Sequence, residues 1–132
     1  MERKHIEGTW QAERSFSPAV ITEGAGRVIW VAGHGAPVDG DGNSLAGDFA
    51  AQTRCSFADL AATLKAAGAT LTDLVTMTVF IIDARFGDSF VAIRHEYFPD
   101  GDFPASALIT CAGFARPEMM VEIQGIAVTA DG

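Results

Sequence analysis

The sequence predicts a single α+β domain, spanning residues 1–132, in which two helices cover one face of a mixed β-sheet. The length suits one domain with a modest core, and about half of the residues are hydrophobic. Two segments repeat apolar residues at three- and four-residue steps, whereas the others are short and rich in strand formers. The predicted order along the chain is β β α β α β β, without internal repeats or low-complexity segments.

Charge and hydropathy exclude several classes of partner. The formal net charge of −8 opposes binding to phosphate backbones, so we expect no nucleic-acid partner. The longest apolar runs, Leu74–Ile82 and Met119–Val128, are too short to span a bilayer, and no signal-peptide pattern follows the polar N-terminus. These features predict a cytoplasmic protein without a membrane partner.

The potential metal ligands form no recognisable site. Cys55 and Cys111 are far apart, so they suit neither a zinc site nor a disulfide framework, and we expect both to be small buried side chains. Asp39–Asn43 resembles a calcium loop by composition but lacks the bidentate Glu. The three histidines are scattered along the chain: His5, His34 and His95. We therefore predict no metal and no organic cofactor.

The N-terminal half predicts a hairpin followed by a helix and a central strand. Residues 18–21 and 27–32 are strands joined by a turn, whereas residues 1–15 carry no clear pattern. Asp48–Ala67 is a helix with Gly68 at its left-handed stop position, and Leu74–Ile82 is an apolar strand for the middle of the sheet. The apolar stripe of this helix consists of Phe49, Thr53, Ser56, Phe57, Leu60, Leu64 and Ala67.

The C-terminal half predicts a second helix and a second hairpin. Asp83–Phe98 is the helix, capped by its first residue and ended by the proline that follows, with Phe86, Phe90, Ile93 and Tyr97 as its stripe. Ala107–Cys111 and Met119–Val128 are strands joined by a loop rich in turn residues. Glu122 is an acid among apolar strand residues, so it needs solvent, a partner or a task.

This last region carries a family resemblance. The matching residues are Pro104-Ala105, a short strand, and then Val121–Val128 (VEIQGIAV). Together they resemble the C-terminal signature of the Rid family of reactive intermediate deaminases, also called YjgF. The usual form there is P-A-R-S, a strand, and I-E-I-E-A-I-A-V. Upstream matches extend to about Ser17 and include Gln52-Thr53-Arg54, Ala67-Gly68 and Val75–Phe80. The resemblance implies a chorismate-mutase-like fold and a homotrimer with clefts between subunits.

The resemblance also implies a chemistry, which is hydrolysis of small imines and enamines such as 2-aminoacrylate to a keto acid and ammonia. An Arg of the family clamps the substrate carboxylate, and a Glu of the last strand orients the attacking water. Glu122 matches that Glu and is the candidate catalytic residue, but Ser106 stands at the position of the Arg. A neutral hydroxyl cannot replace a charged fork, so we expect weak or no activity on 2-aminoacrylate.

Two hypotheses explain the missing clamp. Either another arginine binds the anion, with Arg94 on the second helix as the first candidate and Arg116 as the second, or the substrate carries no carboxylate there. The full set of candidate substrate-binding residues is Ser106, Arg94, Phe90, Gly33, His34, Arg116 and Cys111. The alternative function is a non-catalytic trimer that binds a small metabolite in the same cleft. Some members of the family are also named endoribonucleases. We do not expect RNA cleavage here, because the sequence shows no basic stripe that could bind RNA.

Overall fold

The computed structural model describes residues 1–130, which fold into six strands and two α-helices. The strands are β1 (Glu2–His5), β2 (Val20–Glu23), β3 (Gly26–His34), β4 (Leu74–Ile81), β5 (Ala105–Thr110) and β6 (Val121–Ala130). The helices are α1 (Phe49–Ala66) and α2 (Gly87–Tyr97). The α+β class is confirmed, and the strand that the sequence did not indicate is β1.

The main sheet has four strands in the order β3-β6-β4-β5. Strand β6 runs antiparallel to both β3 and β4, whereas β5 runs parallel to β4. Strand β4 is therefore an inner strand, as its apolar sequence predicted. Strands β1 and β2 form a separate antiparallel ribbon.

Both predicted hairpins are wrong in their pairing. Strands β5 and β6 are both present, but β4 lies between them and pairs with each along one edge. The β4–β5 pair is parallel, and α2 provides the crossover connection that a parallel pair needs. Near the N-terminus, β2 pairs with β1 and β3 pairs with β6. The turn between β2 and β3 is present, with Gly24 in the left-handed region, but it does not close a ladder.

Helix α1 follows its sequence closely. The carboxylate of Asp48 accepts the backbone N–H of Ala51 at the start of the helix, and Gly68 takes a φ of 80° just beyond its end. Six of the seven predicted stripe residues are buried against the sheet, whereas Ala67 is half-buried and lies just beyond the end of the helix. Buried Gln52 also belongs to this face, where its side chain binds the backbone of Glu118 and Met120 and so fastens the loop before β6.

Helix α2 is shorter than predicted, because residues 84–86 form a 3₁₀ turn before it. The carboxylate of Asp83 accepts the backbone N–H of Arg85 in that turn. Phe90 and Ile93 are buried as expected, and Phe90 stacks on Phe57 of α1 with ring centroids 5.9 Å apart. This contact places α2 beside α1 on the same face of the sheet.

The two faces of the main sheet differ in what covers them. Toward the helices, Met77 and Val79 of β4 and Ile123 of β6 are fully buried in the core. The opposite face, hereafter the outer face, exposes apolar side chains, with Trp30 77 % exposed and Ile109 about two-fifths exposed. Within residues 1–130, no helix is long and apolar enough to cross a membrane.

Candidate functional site

The two residues that the resemblance singles out lie on opposite faces of the sheet. Ser106 of β5 is paired with Met77 of β4, whose side chain lies in the core under the helices. Glu122 of β6 is paired with Phe80, three residues further along the same strand. Because side chains alternate along a strand, Ser106 points to the helix face and Glu122 to the outer face.

On the helix face, Ser106 meets Arg94 of α2. The Arg94 side chain is 1 % exposed and donates three hydrogen bonds. Its Nη1 donates to Ser106 Oγ at 2.6 Å, its Nε to Ser15 Oγ at 3.1 Å, and its Nη2 to the carbonyl oxygen of Arg14 at 3.0 Å. A guanidinium therefore lies directly beside the position where the sequence pattern lacks one.

Arg94 is a buried cation that has no acidic partner among residues 1–130. None of the ion pairs among residues 1–130 includes it. Burial, and then the charge of Arg14, lowers the pKa of Arg94 to about 10, so the group stays charged at pH 7. Its Cζ lies 5.1 Å from the ring centroid of Phe90 and 5.8 Å from that of Phe16, which partly offsets the lost hydration.

Arg94 and Ser106 line a cavity of about 220 Å³ beside the edge strand β5. The cavity has a polar end and apolar walls, and it is lined by Trp10, Arg14, Phe16, Val91, Arg94, Ser106 and Leu108. The oxygen of Ser106 already accepts a bond from Arg94, so its own proton is left to donate. A guanidinium has five N–H groups, and three of those of Arg94 are used within the chain. The polar end can therefore bind an anion.

The chain segment that closes this cavity is the N-terminal segment, which we define as residues 8–17. It contains Ser15, which is buried and has a φ of 58°, in the left-handed region that a non-glycine residue rarely adopts. Ser15 Oγ donates to the carbonyl oxygen of Val91, and Arg14 forms an ion pair with Asp88. Together with the bonds from Arg94, these contacts fasten the segment to α2.

Glu122 lies in a different environment on the outer face. Its side chain is half-buried, and no hydrogen bond or ion pair within residues 1–130 reaches its carboxylate. The carboxylate lies over the backbone of Gly33 in β3, where an added Cβ would come within 2.8 Å of Glu122 Cδ. A side chain at position 33 would therefore displace the Glu122 carboxylate, whereas Gly33 leaves room for it.

The structure does not bring the remaining candidates to the cavity. His34 is hydrogen-bonded through Nδ1 to the carbonyl oxygen of Ala32 and through Nε2 to Thr63 of α1. Arg116 is exposed in the loop before β6 and forms an ion pair with Glu118 at 3.2 Å. Cys111 lies just beyond β5, where its backbone N–H donates to Ile81. Arg94, Phe90 and Ser106 are the predicted residues that the structure places together.

Residues 7–129 of the chain match the family model described as Endoribonuclease L-PSP. The chain belongs to this family, the Rid (L-PSP) family. A Rid protein of unknown function from Yersinia pestis, YyfB, has a similar structure, with a TM-score of 0.83 and 27 % identity over 96 % of this chain and 98 % of its own. Family membership and the α+β fold are thus both established.

Two further solved structures are similar to this Rid-family chain. A Thermotoga maritima protein described as a candidate endoribonuclease has a TM-score of 0.71 and 29 % identity over 89 % of this chain and 87 % of its own. A Mycobacterium tuberculosis member of the YjgF family has a TM-score of 0.66 and 25 % identity over 96 % of this chain and 98 % of its own.

Sequence reasoning missed the part of the site that the N-terminal segment supplies. Trp10, Arg14, Ser15 and Phe16 fall in or beside the stretch that shows no helical or strand period. A weak signal was available, since Trp10 and Phe16 are aromatic residues in an otherwise polar stretch. Their placement depends on contacts with α2, about 80 residues away, and no local pattern encodes such contacts.

The expectation that both cysteines are buried is also wrong. Cys55 and Cys111 are half-buried, because both lie at the margins of the core. Burial, and then the nearby Asp59 and Asp39 carboxylates, raises the pKa of the Cys55 thiol, which disfavours the nucleophilic thiolate. Within residues 1–130 no group of three or more His, Cys, Asp or Glu side chains is arranged to hold a metal ion.

Proposed function

We propose that this Rid-family protein is a hydrolase that acts on a small imine or enamine carrying a carboxylate, and that it releases ammonia and a carbonyl product. The proposal depends chiefly on Arg94, a buried and charged guanidinium without an acidic partner in residues 1–130, bonded to Ser106 in a small cavity. A buried cation of this kind is costly unless an anion compensates it.

The substrate carboxylate would bind at the polar end of the cavity. Ser106 donates its hydroxyl proton to one carboxylate oxygen, and Arg94 polarises that hydroxyl and provides the opposing charge. This arrangement favours the first of the two sequence hypotheses, in which another arginine replaces the family clamp. The cation comes from a helix and not from the strand.

The chemical step needs a water held against the imine carbon, and Glu122 is the candidate residue to orient it. The overall reaction is R–C(=NH)–COO⁻ + H₂O → R–C(=O)–COO⁻ + NH₃. Glu122 is on the opposite face from Arg94, so one chain cannot aim both groups at one substrate. We therefore propose that the site forms between two subunits of a homotrimer, with the outer face of one subunit meeting the β5 edge of the next.

A second function, binding without turnover, is favoured by one observation. The cavity around Arg94 is complete within one chain and can bind a carboxylate without Glu122. RNA cleavage is disfavoured, because the net charge of −8 opposes binding to a polyanion.

The decisive experiment measures turnover and mass together. Imines generated in solution by an amino-acid oxidase are supplied with and without the protein, and ammonia and 2-oxo acid are followed over time. A hydrolase accelerates their formation catalytically, whereas a binding module shows saturable binding of the 2-oxo acid and no acceleration. Light scattering should give three chain masses, and a monomer at micromolar concentration would contradict the site between subunits.

Arg94→Met tests the anion site directly. Charged hydrogen bonds contribute about 1.5–3 kcal/mol, so we expect 2-oxo acid affinity to fall by about 10- to 100-fold. The matched control is Arg54→Met, which removes an exposed arginine paired with Glu96. Circular dichroism monitors folding of both variants, and Ser106→Ala removes the direct contact if Arg94→Met fails to fold. Unchanged affinity in a folded Arg94→Met protein would exclude this cavity as the anion site.

A further inference from the structure

The cavity around Arg94 has a second property, which is its apolar wall. Trp10 and Phe16 of the N-terminal segment form one side, and Val91 of α2 and Leu108 of β5 form the other. The rings of Trp10 and Phe16 pack edge to face with centroids 5.5 Å apart. The charged groups lie at one end of this wall, so the cavity is polar at one end and apolar along its sides.

The wall is held on its inner side by hydrogen bonds to Ser15. The Ser15 backbone adopts the left-handed region while its hydroxyl both accepts from Arg94 and donates to Val91. Strained backbone of this kind persists only where surrounding contacts determine it, and it is common beside binding sites. The Ser15 conformation fixes the direction of the chain between Arg14 and Phe16. Because Arg94 donates to Ser15, the guanidinium that attracts the anion also positions the aromatic wall.

The wall is open on its outer side. Trp10 is 58 % exposed, although it is one of the largest apolar side chains of the protein. A ligand that reached from Arg94 along Phe16 to Trp10 would bury part of this exposed ring. Such burial stabilises a complex in proportion to the apolar area removed from water.

From this polarity we propose that the preferred substrate is a 2-imino acid with a bulky apolar side chain, such as an aromatic ring, and that Trp10 and Phe16 determine this specificity. The inference rests on the proposed hydrolase function and refines its substrate class. The carboxylate binds at Ser106 and Arg94, while the apolar side chain packs against the two rings. A volume of about 220 Å³ suits a metabolite and not a drug-sized ligand.

The test compares two imines that differ in the side chain alone. An amino-acid oxidase generates them in place from alanine and phenylalanine, and semicarbazide trapping measures the imine flux. We expect kcat/KM to be at least about tenfold higher for the phenylalanine-derived imine, because its ring is bound in the transition state as well. Trp10→Ala should remove most of that ratio, and Trp10→Phe should retain most of it.

The control variant is Ile21→Ala, which removes another exposed apolar side chain, on the β1–β2 ribbon outside the cavity. It should leave the ratio unchanged. Equal rates for the two imines in the wild type, or a ratio that Trp10→Ala does not alter, would overturn the proposed specificity while leaving the hydrolase function intact.

A binding measurement separates the specificity from the hydrolase function. Calorimetry with pyruvate and phenylpyruvate reports the preference of the cavity even if no imine is turned over. Tighter binding of phenylpyruvate that Trp10→Ala abolishes would support the aromatic wall although the hydrolase function had failed. Equal binding of the two acids in a protein without turnover would overturn both.

Discussion

The two charged groups of the candidate site, Arg94 and Glu122, are in opposite situations. Arg94 is buried on the helix face and held by three hydrogen bonds from the guanidinium to neutral oxygens. Glu122 is half-buried on the outer face, and no donor within residues 1–130 binds its carboxylate. The fold therefore holds the cation in place and leaves the Glu122 carboxylate, which lies over Gly33, without a hydrogen-bond donor among residues 1–130.

This difference shows how one sheet can supply two halves of a site. Alternation along β5 and β6 sends Ser106 and Glu122 to opposite faces, and no rotamer change can reverse that. A second copy of the chain is the simplest source of the missing half. The outer face, which carries Glu122, also exposes apolar side chains, of which Trp30 is the largest. Such an exposed apolar surface is suited to a contact with a second copy of the chain.

A charged substitution on the outer face should have the largest effect on assembly and turnover. Trp30→Asp places a charge on the exposed outer face, where burial against another subunit would be strongly unfavourable. We expect the proposed trimer to dissociate and turnover to be lost, while 2-oxo acid binding at Arg94 is retained at reduced affinity. Light scattering, an imine assay and calorimetry measure the three properties.

Ile21→Asp is the matched control for this variant, since it adds the same charge to an exposed apolar position on the β1–β2 ribbon. It should leave mass and turnover unchanged. If Trp30→Asp remained a fully active trimer, the outer face would not be the contact surface and Glu122 would need another route to the substrate.

Removing the charge of Glu122 should have the next largest effect. Glu122→Gln keeps the shape but weakens the acceptor that orients water, and general-base catalysis typically contributes about 10²–10⁴-fold. We expect turnover to fall at least about tenfold, with mass and melting temperature little changed. The control Glu96→Gln makes the same change at an exposed acid of α2. Equal turnover would remove Glu122 from the mechanism, and a lost trimer would make its role structural.

Moving the guanidinium from α2 to β5 tests whether the position of the cation matters for the substrate that is hydrolysed. The double variant Arg94→Asn with Ser106→Arg moves the guanidinium to the position of the Rid-family clamp, so we expect it to gain activity on 2-aminoacrylate. Ser106→Arg alone places two guanidinium groups side by side and should gain less, because like charges repel in a buried site. A double-mutant cycle on kcat/KM measures the coupling. A wild type already fast on 2-aminoacrylate, and unchanged in the double variant, would contradict the importance of clamp geometry.

The smallest effect concerns pH. The pKa of Arg94 is lowered to about 10 by burial and by the charge of Arg14, so as pH rises the folded chain loses this proton before the unfolded chain does. Burial of the cation therefore destabilises the fold in full below pH 10, and this destabilisation is relieved only as pH rises above 10 toward the ordinary pKa of arginine. Anion affinity has the opposite trend, because it needs the charged form. We expect 2-oxo acid affinity to be flat from pH 6 to 9 and to fall above about pH 10, as measured by calorimetry. A fall already at pH 8 would indicate another titrating group.

The fold was largely predictable from local patterns. The stripe of α1 and the Gly68 stop are signals of adjacent residues. The stop was confirmed, and the stripe was confirmed except at half-buried Ala67. Strand pairing was not predictable in the same way. The sequence shows which residues form strands, but β4 separates β5 from β6 because of long-range packing, and short turn motifs between strands do not reveal that.

The site was predictable where a residue type is unusual for its position. Glu122 stands out in an apolar strand, and Arg94 stands out beside an apolar helical stripe, so both could be selected from the sequence. Their separation by the sheet became visible only with the register. The contribution of Ser15 required the structure, since a serine in a patternless stretch gives no sign of a left-handed backbone.

The N-terminal segment has a consequence for the motions of this protein. None of its residues belongs to the hydrophobic core cluster, whose first member along the chain is Val31. It is attached instead by polar contacts, from Arg14 and Ser15 to α2 and from Ser17 to the backbone of Phe103 and Pro104. We expect it to detach at a lower free-energy cost than global unfolding, exposing Arg94 to water while the sheet stays intact. Amide hydrogen exchange in residues 8–17 should then be faster than in β6, and slower when a 2-oxo acid is bound.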